Sequence, residues 1–286
     1  MDRMMRRIKI LLDLVKFEHT IFALPFAYMG VVLAQYRIPE FRIWFWVTLA
    51  MIGARTAAMG LNRLIDRDID ARNPRTQNRH IPQGLVKPLS VWVMVGLSLL
   101  LLLYSAWALN PLCFYLSPLA VLLLWFYSYT KRFTWMAHFV LGIVEAAAPI
   151  GGWIAVTGSL SWPPLLIGAG LIFWLAGFDI LYSLQDYEFD KKSGLYSIPA
   201  QFGIQNALFI SSGLHLLTML FFLLAGLALH SGIWYWLGTG LIAGLLIYEH
   251  AILHPRDLSR LNQAFFTVNG WVSVVLFMGS LLDVIL

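Results

Sequence analysis

Two short acidic stretches could do chemistry. NRLIDRDID, at 62–70, follows the apolar run FRIWFWVTLAMIGARTAAMGL, and DILYSLQDYEFD, at 179–190, follows another. On a helix, residues four apart lie nearly one above the other. Asn62, Asp66 and Asp70 therefore share a face, while Asp68 points about 200° round from Asp66 at ~100° per residue. The second stretch repeats the pattern: Asp179, Asp186 and Asp190 share a face, and Glu188 points away. Like charges at this spacing repel, so pairs beside an apolar slab call for a cation between them. Carboxylate and amide oxygens suit a hard ion, Mg²⁺ above all, which is usually held by a few carboxylates together with substrate phosphates. The expected ligand is therefore phosphorylated. Arg67, Arg72, Arg75, Arg79, Lys131, Arg132, Lys191 and Lys192 are the nearby basic residues for its oxygens. A plainer alternative is solvated helix ends paired with neighbouring arginines. Two such pairs, each ending an apolar run and each followed by a similar loop, favour the functional reading.

The elements that must position these residues are set by composition. The chain has 286 residues, 59% hydrophobic and 12% charged, with mean hydropathy +0.73. Ordinary soluble domains are nearer half apolar and one quarter charged. The sequence predicts an all-α membrane protein with nine spans, at roughly 18–36, 41–62, 90–109, 111–129, 136–157, 163–184, 206–229, 232–252 and 264–284. With the N-terminus inside, every lysine and arginine except Arg37, Arg42 and Arg55 falls in an inside segment, as the positive-inside rule requires. The C-terminus is then outside. The inside loops at 63–89 and 185–205 are long enough for short helical caps, so the chemistry belongs on the cytoplasmic face. IPQG at 81–84 and IPAQFG at 198–203 follow the two acidic motifs. This weak repeat suggests one transmembrane domain over 1–286, made of two four-helix halves plus a ninth helix. The basic start MDRMMRRIKILLDLVKFEHT reads as an amphipathic helix on the membrane surface, not as a removed signal peptide. The single cysteine, Cys113, excludes an intrachain disulfide and a Cys-rich metal site. The net charge of +5 is explained by topology, without nucleic acid.

On NRLIDRDID, DARNPRTQNRHIPQG, YSYTKRFTW at 127–135 and DYEFD, the sequence resembles the UbiA superfamily of intramembrane prenyltransferases. KFEHTIFALPFA and YEHAILHPRDLSRLNQAFFTVNG are similar to the bacterial branch acting on aromatic acids. The resemblance implies nine helices around a central cavity. It also implies Mg²⁺ held by Asn62, Asp66, Asp70, Asp186 and Asp190, bridging a polyprenyl diphosphate. Asp179 falls at a polar family position; Arg72, Lys131 and Arg132 match basic positions near the diphosphate or the acceptor's carboxylate; Tyr129 matches a tyrosine close to the reacting carbon. The implied reaction prenylates an aromatic acid next to its hydroxyl, with 4-hydroxybenzoate expected as the acceptor and 1,4-dihydroxy-6-naphthoate as the alternative. The implied setting is a bacterial inner membrane. No protein partner is evident.

The remaining polar residues are weaker candidates. Arg55 lies two turns before Asn62 on the same face and is expected to meet the diphosphate or an acidic partner; Glu145, costly inside a span unless paired, is one possible partner. Arg67, Tyr182 and Lys191 join Arg55, Arg72, Lys131, Arg132 and Asp179 as the expected substrate contacts. Tyr129, Trp125, Tyr182 and Phe178 could stabilise an allylic cation. Glu18 and His19 precede the first span, and Glu249 with His250 reads as interface. The competing class is a cation-coupled transporter using the acidic pairs as ion sites. Such sites tend to lie near the bilayer midplane, whereas these pairs end their spans.

Overall fold

The computed structural model describes residues 10–15, 20–263 and 269–286. A helix occupies each segment that the sequence marks as a span: α1 Thr20–Leu33, α2 Phe41–Ile65, α4 Pro88–Leu109, α5 Pro111–Thr130, α6 Ala137–Thr157, α7 Trp162–Ser183, α10 Ile204–Ala228, α11 Ile233–Ala251 and α12 Asn269–Ile285. Short helices α3 Arg67–Arg72, α8 Tyr187–Ser193 and α9 Ile198–Phe202 fill the two long connections. Among the described residues, six helical stretches are long and apolar enough to cross a membrane: α2, α4, α5, α6, α10 and the run Trp162–Ser193 that continues α7. The other three are not. α1 has 14 residues, about 21 Å at 1.5 Å per residue, against a hydrocarbon core of ~30 Å. α12 has 17, and α11 carries Trp, Tyr, Glu249 and His250 among its 19. The protein is an all-α integral membrane protein.

Local signals set the ends. Proline opens α4, α5 and α7 in the first turn, where its missing N–H costs nothing. Asn110 caps α5 by accepting from the Cys113 N–H at 3.0 Å, while its amide donates to the Ile154 carbonyl of α6 at 2.7 Å. α6 and α8 stop at Gly158 and Gly194, whose φ values of 65° and 67° suit glycine. Several hydroxyls inside the helices donate to carbonyls on their own helix, as Ser98 does to Met94 and Thr218 to Leu214, and Ser211 donates across to the Gly177 carbonyl of α7, so these are satisfied without water.

The long helices pack in chain order, each against the next, and α12 returns to α1, closing a ring; α1 also crosses to α6. That crossing depends on small residues. A Cβ at Gly30 would lie 2.1 Å from the Pro149 carbonyl oxygen, and one at Gly152 would lie 2.2 Å from that of Ala27. The backbones touch, the usual way membrane helices gain dispersion contact. The turn at 10–14 does not lie open on the surface: Leu14 and Val15 are buried against Leu61, Leu64, Val86 and Val91. Most of the predicted surface helix, with Glu18 and His19, lies outside the described residues. Glu249 departs from the interface position read from the sequence: it is fully buried, with His250 partly so.

Gly152→Leu should lower the thermal unfolding midpoint in detergent, since overpacking costs about 1–3 kcal/mol. Gly151→Leu, which meets nothing within 4 Å, should leave it unchanged. Equal midpoints for both would remove the close α1–α6 crossing from the account.

Candidate active site

Each acidic motif sits where a long helix breaks into a short one. Asp66, between α2 and α3, has φ −90° and ψ 1°. Asp186, between the 3₁₀ turn Leu184–Asp186 and α8, has φ −102° and ψ 5°. Both occupy the same sparsely populated bridge region. Across the first break the one-turn spacing survives: the Asp66 N–H donates to the Asn62 carbonyl at 2.9 Å, and the Asp70 N–H to the Asp66 carbonyl at 2.8 Å. Asn62, Asp66 and Asp70 thus keep a common face, and Asp68 turns out to solvent beside Arg67.

The two motifs meet at one end of the bundle through their connecting loops. Asp66, 1% exposed, lies 2.6 Å from Lys131 Nζ and 3.0 Å from Arg132 Nη2. Asp70 accepts from Arg79 Nη1 through both oxygens, at 2.7 and 2.8 Å. Asp186 is forked by Arg75, whose Nε lies 2.8 Å away, and also accepts from the Asn73 amide at 2.9 Å. Arg75 further donates to the Tyr182 hydroxyl at 2.8 Å and lies over that ring. Burial alone would lower the Arg75 guanidinium; the bonds to Asp186 and Tyr182 outweigh it and hold the group above the ordinary arginine value. Asp190 differs, taking its bond from the Ser197 hydroxyl at 3.0 Å. The Tyr196 N–H donates to the Lys131 carbonyl at 2.8 Å, tying the second loop to the end of α5.

Asp179 accepts from His138 Nδ1 at 2.7 Å, and His138 Nε2 accepts from the Ile198 N–H at 3.2 Å. One buried imidazole therefore staples α6, α7 and α9 in a single tautomer. The sequence reading missed it, because an isolated histidine carries no spacing signal. Arg55 pairs with Glu145 at 2.9 Å, one of the partners considered from the sequence, and its buried Nε has no acceptor.

Several expected contacts point elsewhere. Arg72 donates to the Asp68 carbonyl and is exposed with Arg67, on the face opposite Asp66. Arg75 and Arg79, a few residues on, take the positions expected of them. Lys191 lies over the Tyr187 ring. Tyr129 is 39% exposed with Arg132 over its ring, whereas Tyr127 is the one turned inward, donating to the Ala58 carbonyl at 3.2 Å. Trp125 is exposed beside Trp92, and Phe178 packs edge-on against Trp174.

The donor set fits a hard divalent ion. Arg132 Nη2 is engaged by the Ile65 carbonyl at 2.7 Å, so Asp66 Oδ1 is buried with no hydrogen bond despite the nearby charge. Asn62 donates its amide N–H to Asp66 at 2.9 Å, which leaves the amide oxygen as its ligand atom. Every other candidate ligand is a carboxylate oxygen.

The class these features define is an integral membrane protein with opposed aspartate motifs at one end of a helix bundle. A model of the UbiA prenyltransferase family matches residues 23–273. The chain belongs to that family, and it is a prenyltransferase. It is 33% identical to a 4-hydroxybenzoate octaprenyltransferase of Nitrosomonas europaea, over 89% of this chain and 86% of the relative. It is 27% identical to one from Vibrio campbellii, over 88% of each. Among solved structures, a UbiA homologue from Aeropyrum pernix superposes with a TM-score of 0.86 at 33% identity, covering 93% of this chain and 98% of that one. A homologue from Archaeoglobus fulgidus bound to GPP and Mg²⁺ shares the fold, with a TM-score of 0.72 at 21% identity over 97% and 100%.

Arg79→Ala should strand Asp70 without its countercharge and lower stability by about 3–5 kcal/mol. The double variant with Asp70→Ala should recover most of that. Additive losses, measured by thermal unfolding in detergent, would mean the pair is not coupled.

Proposed function

We propose that the protein transfers a polyprenyl group from a polyprenyl diphosphate to the ring carbon beside the hydroxyl of an aromatic acid, with 4-hydroxybenzoate as the acceptor. The observation that carries this is the matching of charges on two motifs brought to one end of the bundle: Asp66 meets Lys131 and Arg132, Asp70 meets Arg79 and Asp186 meets Arg75, while Asp190 takes only the Ser197 hydroxyl. Four formal negatives against four positives leave the cluster near neutrality. A diphosphate is therefore bound favourably only with accompanying cations. Asn62, Asp66, Asp70, Asp186 and Asp190 would hold Mg²⁺, which supplies charge neutralisation to the departing diphosphate. The basic groups then exchange carboxylate partners for phosphate oxygens, as charge-assisted bonds of equal kind. The names of the curated relatives support the acceptor, and the GPP and Mg²⁺ in the Archaeoglobus structure support the donor and ion.

The rest follows from the chemistry of the substrates. Each buried CH₂ of a prenyl tail contributes roughly 0.8 kcal/mol, so the tail belongs in a groove between the nine helices, open to lipid. When the prenyl C–O bond breaks, the allylic carbon carries positive charge. Tyr182, hydrogen-bonded to Arg75 beside Asp186, is the ring assigned to stabilise it, through the face that the Arg75 guanidinium does not cover. The electron-rich ring then forms the C–C bond to the allylic carbon, and the hydrogen on the attacked ring carbon leaves as a proton to the released diphosphate. Arg55, with its Nε undonated, is assigned to the acceptor's carboxylate. The loops at 63–89 and 185–205 form a cytoplasmic cap, with the N-terminus inside and the C-terminus outside, because that orientation keeps nearly all lysines and arginines inside.

The test is incubation of the purified protein with a labelled prenyl diphosphate and each candidate acid. Prenylated 4-hydroxybenzoate and released diphosphate are expected, both abolished by chelation and restored by Mg²⁺. Prenylated 1,4-dihydroxy-6-naphthoate alone would transfer the assignment to that acceptor. Asp66→Ala and Asp190→Ala should each lower turnover by about a hundredfold or more while the protein stays inserted. Near-full activity in both, or ion-driven flux without diphosphate release, would overturn the reading.

A further inference from the structure

A second polar cluster lies away from the aspartates, among α7, α10, α11 and α12. It contains His215, Glu249 and His250, with Glu249 and His215 almost wholly buried. Each residue makes an outward hydrogen bond that fixes which atom faces the others. His215 Nε2 lies 3.2 Å from the Trp174 carbonyl, an acceptor only, so it carries the proton and Nδ1 is a lone pair. Glu249 Oε1 accepts from the Asn269 amide at 2.6 Å, and Asn269 is itself oriented by the Trp174 indole N–H at 2.9 Å. His250 Nδ1 lies 3.1 Å from Ser212 Oγ, whose hydroxyl donates to the Leu208 carbonyl at 3.0 Å. With the hydroxyl so engaged its oxygen accepts from His250 Nδ1, the tautomer that leaves His250 Nε2 as a lone pair; in the other tautomer Nε2 donates to His215 Nδ1 and only Glu249 Oε2 stays unmet.

The three inward atoms face one another. His215 Nδ1 is 2.9 Å from His250 Nε2 and 3.4 Å from Glu249 Oε2, and all three lie within 4.8 Å of one another. Glu249 Oε2 is buried with no hydrogen-bond partner. Three converging lone pairs in an apolar interior repel unless a positive species sits between them. A single proton would bridge one pair and leave the third atom unmet. A tetrahedral ion at about 2.0–2.2 Å from nitrogen and oxygen donors needs them roughly 3.3–3.5 Å apart; the His215–Glu249 separation of 3.4 Å matches this, and the two imidazole nitrogens, at 2.9 Å, have only to part by a few tenths of an ångström. The outward bonds are those that ligating imidazoles and carboxylates make in metal sites, where they set tautomer and direction. Gly177 makes room for the His215 ring, which a Cβ there would meet at Nε2.

We propose that His215, Glu249 and His250 bind a divalent transition ion of the zinc class. Its two imidazole nitrogens distinguish it from the all-oxygen aspartate site, which suits a harder ion. The ion clamps α10 to α11. Through Asn269 and Trp174 the clamp extends to α12 and α7, where Trp174 packs on Phe178, next to Asp179. Its role is structural, holding α7 above the second acidic motif.

The full chain, purified without a histidine tag or chelator, should retain about one zinc per chain by elemental analysis after dialysis against Mg²⁺. Zinc should persist in Asp66→Asn and fall to background in the double variant Glu249→Gln, His250→Ala. Should that variant fail to fold, cobalt exchange into the wild type decides: intense visible bands of tetrahedral Co²⁺, unchanged in Asp66→Asn, are expected. Background zinc in the wild type without such bands, or bands lost in Asp66→Asn, would overturn the site and leave the cluster as a proton-sharing network.

Discussion

The structure turns on the cost of carboxylates buried at the edge of hydrocarbon. Asp66 and Asp70 are almost fully enclosed, and an unpaired ion there would cost several kcal/mol. The fold meets this by bringing cations from elsewhere in the chain: Lys131 and Arg132 from the end of α5, and Arg75 and Arg79 from the loop after α3. Helix order, loop length and the meeting of the two motifs all serve that pairing. The loop that neutralises Asp70 also reaches Asp186 through Asn73 and Arg75, so the first motif's connection folds against the second.

The helix breaks at Asp66 and Asp186 belong to the same constraint. An uninterrupted helix would carry each second aspartate further along the axis of its span. A single residue in the bridge region turns the chain into a short helix while keeping the one-turn spacing of the carboxylates. The same local conformation thus recurs at the two D-x-x-x-D stretches, Asp66–Asp70 and Asp186–Asp190. Beyond the breaks the halves differ. The first loop supplies arginines; the second supplies Ser197, the Ile198 N–H taken up by His138, and Tyr196 on the Lys131 carbonyl.

Much of this was legible in the sequence because it is periodic. Apolar runs located the helices, and spacing of four placed Asn62, Asp66 and Asp70 inward with Asp68 outward. What was not legible depends on where an irregular chain turns. Arg67 and Arg72 sit on the short helix and are thrown outward by its pitch, while Arg75 and Arg79 follow Pro74 in a loop whose path no periodicity describes. Tyr127 and Tyr129 are two residues apart, so helical geometry sends them to opposite sides, and motif likeness singled out the one that faces out. Glu249 and His250 were read as interface because they end a span. One face of the last turn of α11 is buried, and the partners of Glu249 and His250 there come from α10 and α12, distant in sequence.

The aspartate cluster's balanced charges also bear on order of binding. Each acidic residue of the cluster except Asp190 already holds a cation, so away from Asp190 and the unbonded Oδ1 of Asp66 a bare divalent ion would compete with an arginine or lysine, and a bare diphosphate would compete with a carboxylate. Each alone breaks pairs without replacing them at both ends. Arriving together, they give every released group a partner: ion to carboxylate, phosphate oxygen to guanidinium or ammonium. Asp190, bonded only to a neutral hydroxyl, is the one carboxylate that needs no displacement. Asp190 would therefore offer a divalent ion a carboxylate that no cation already holds, with Asp186 and Arg75 beside it.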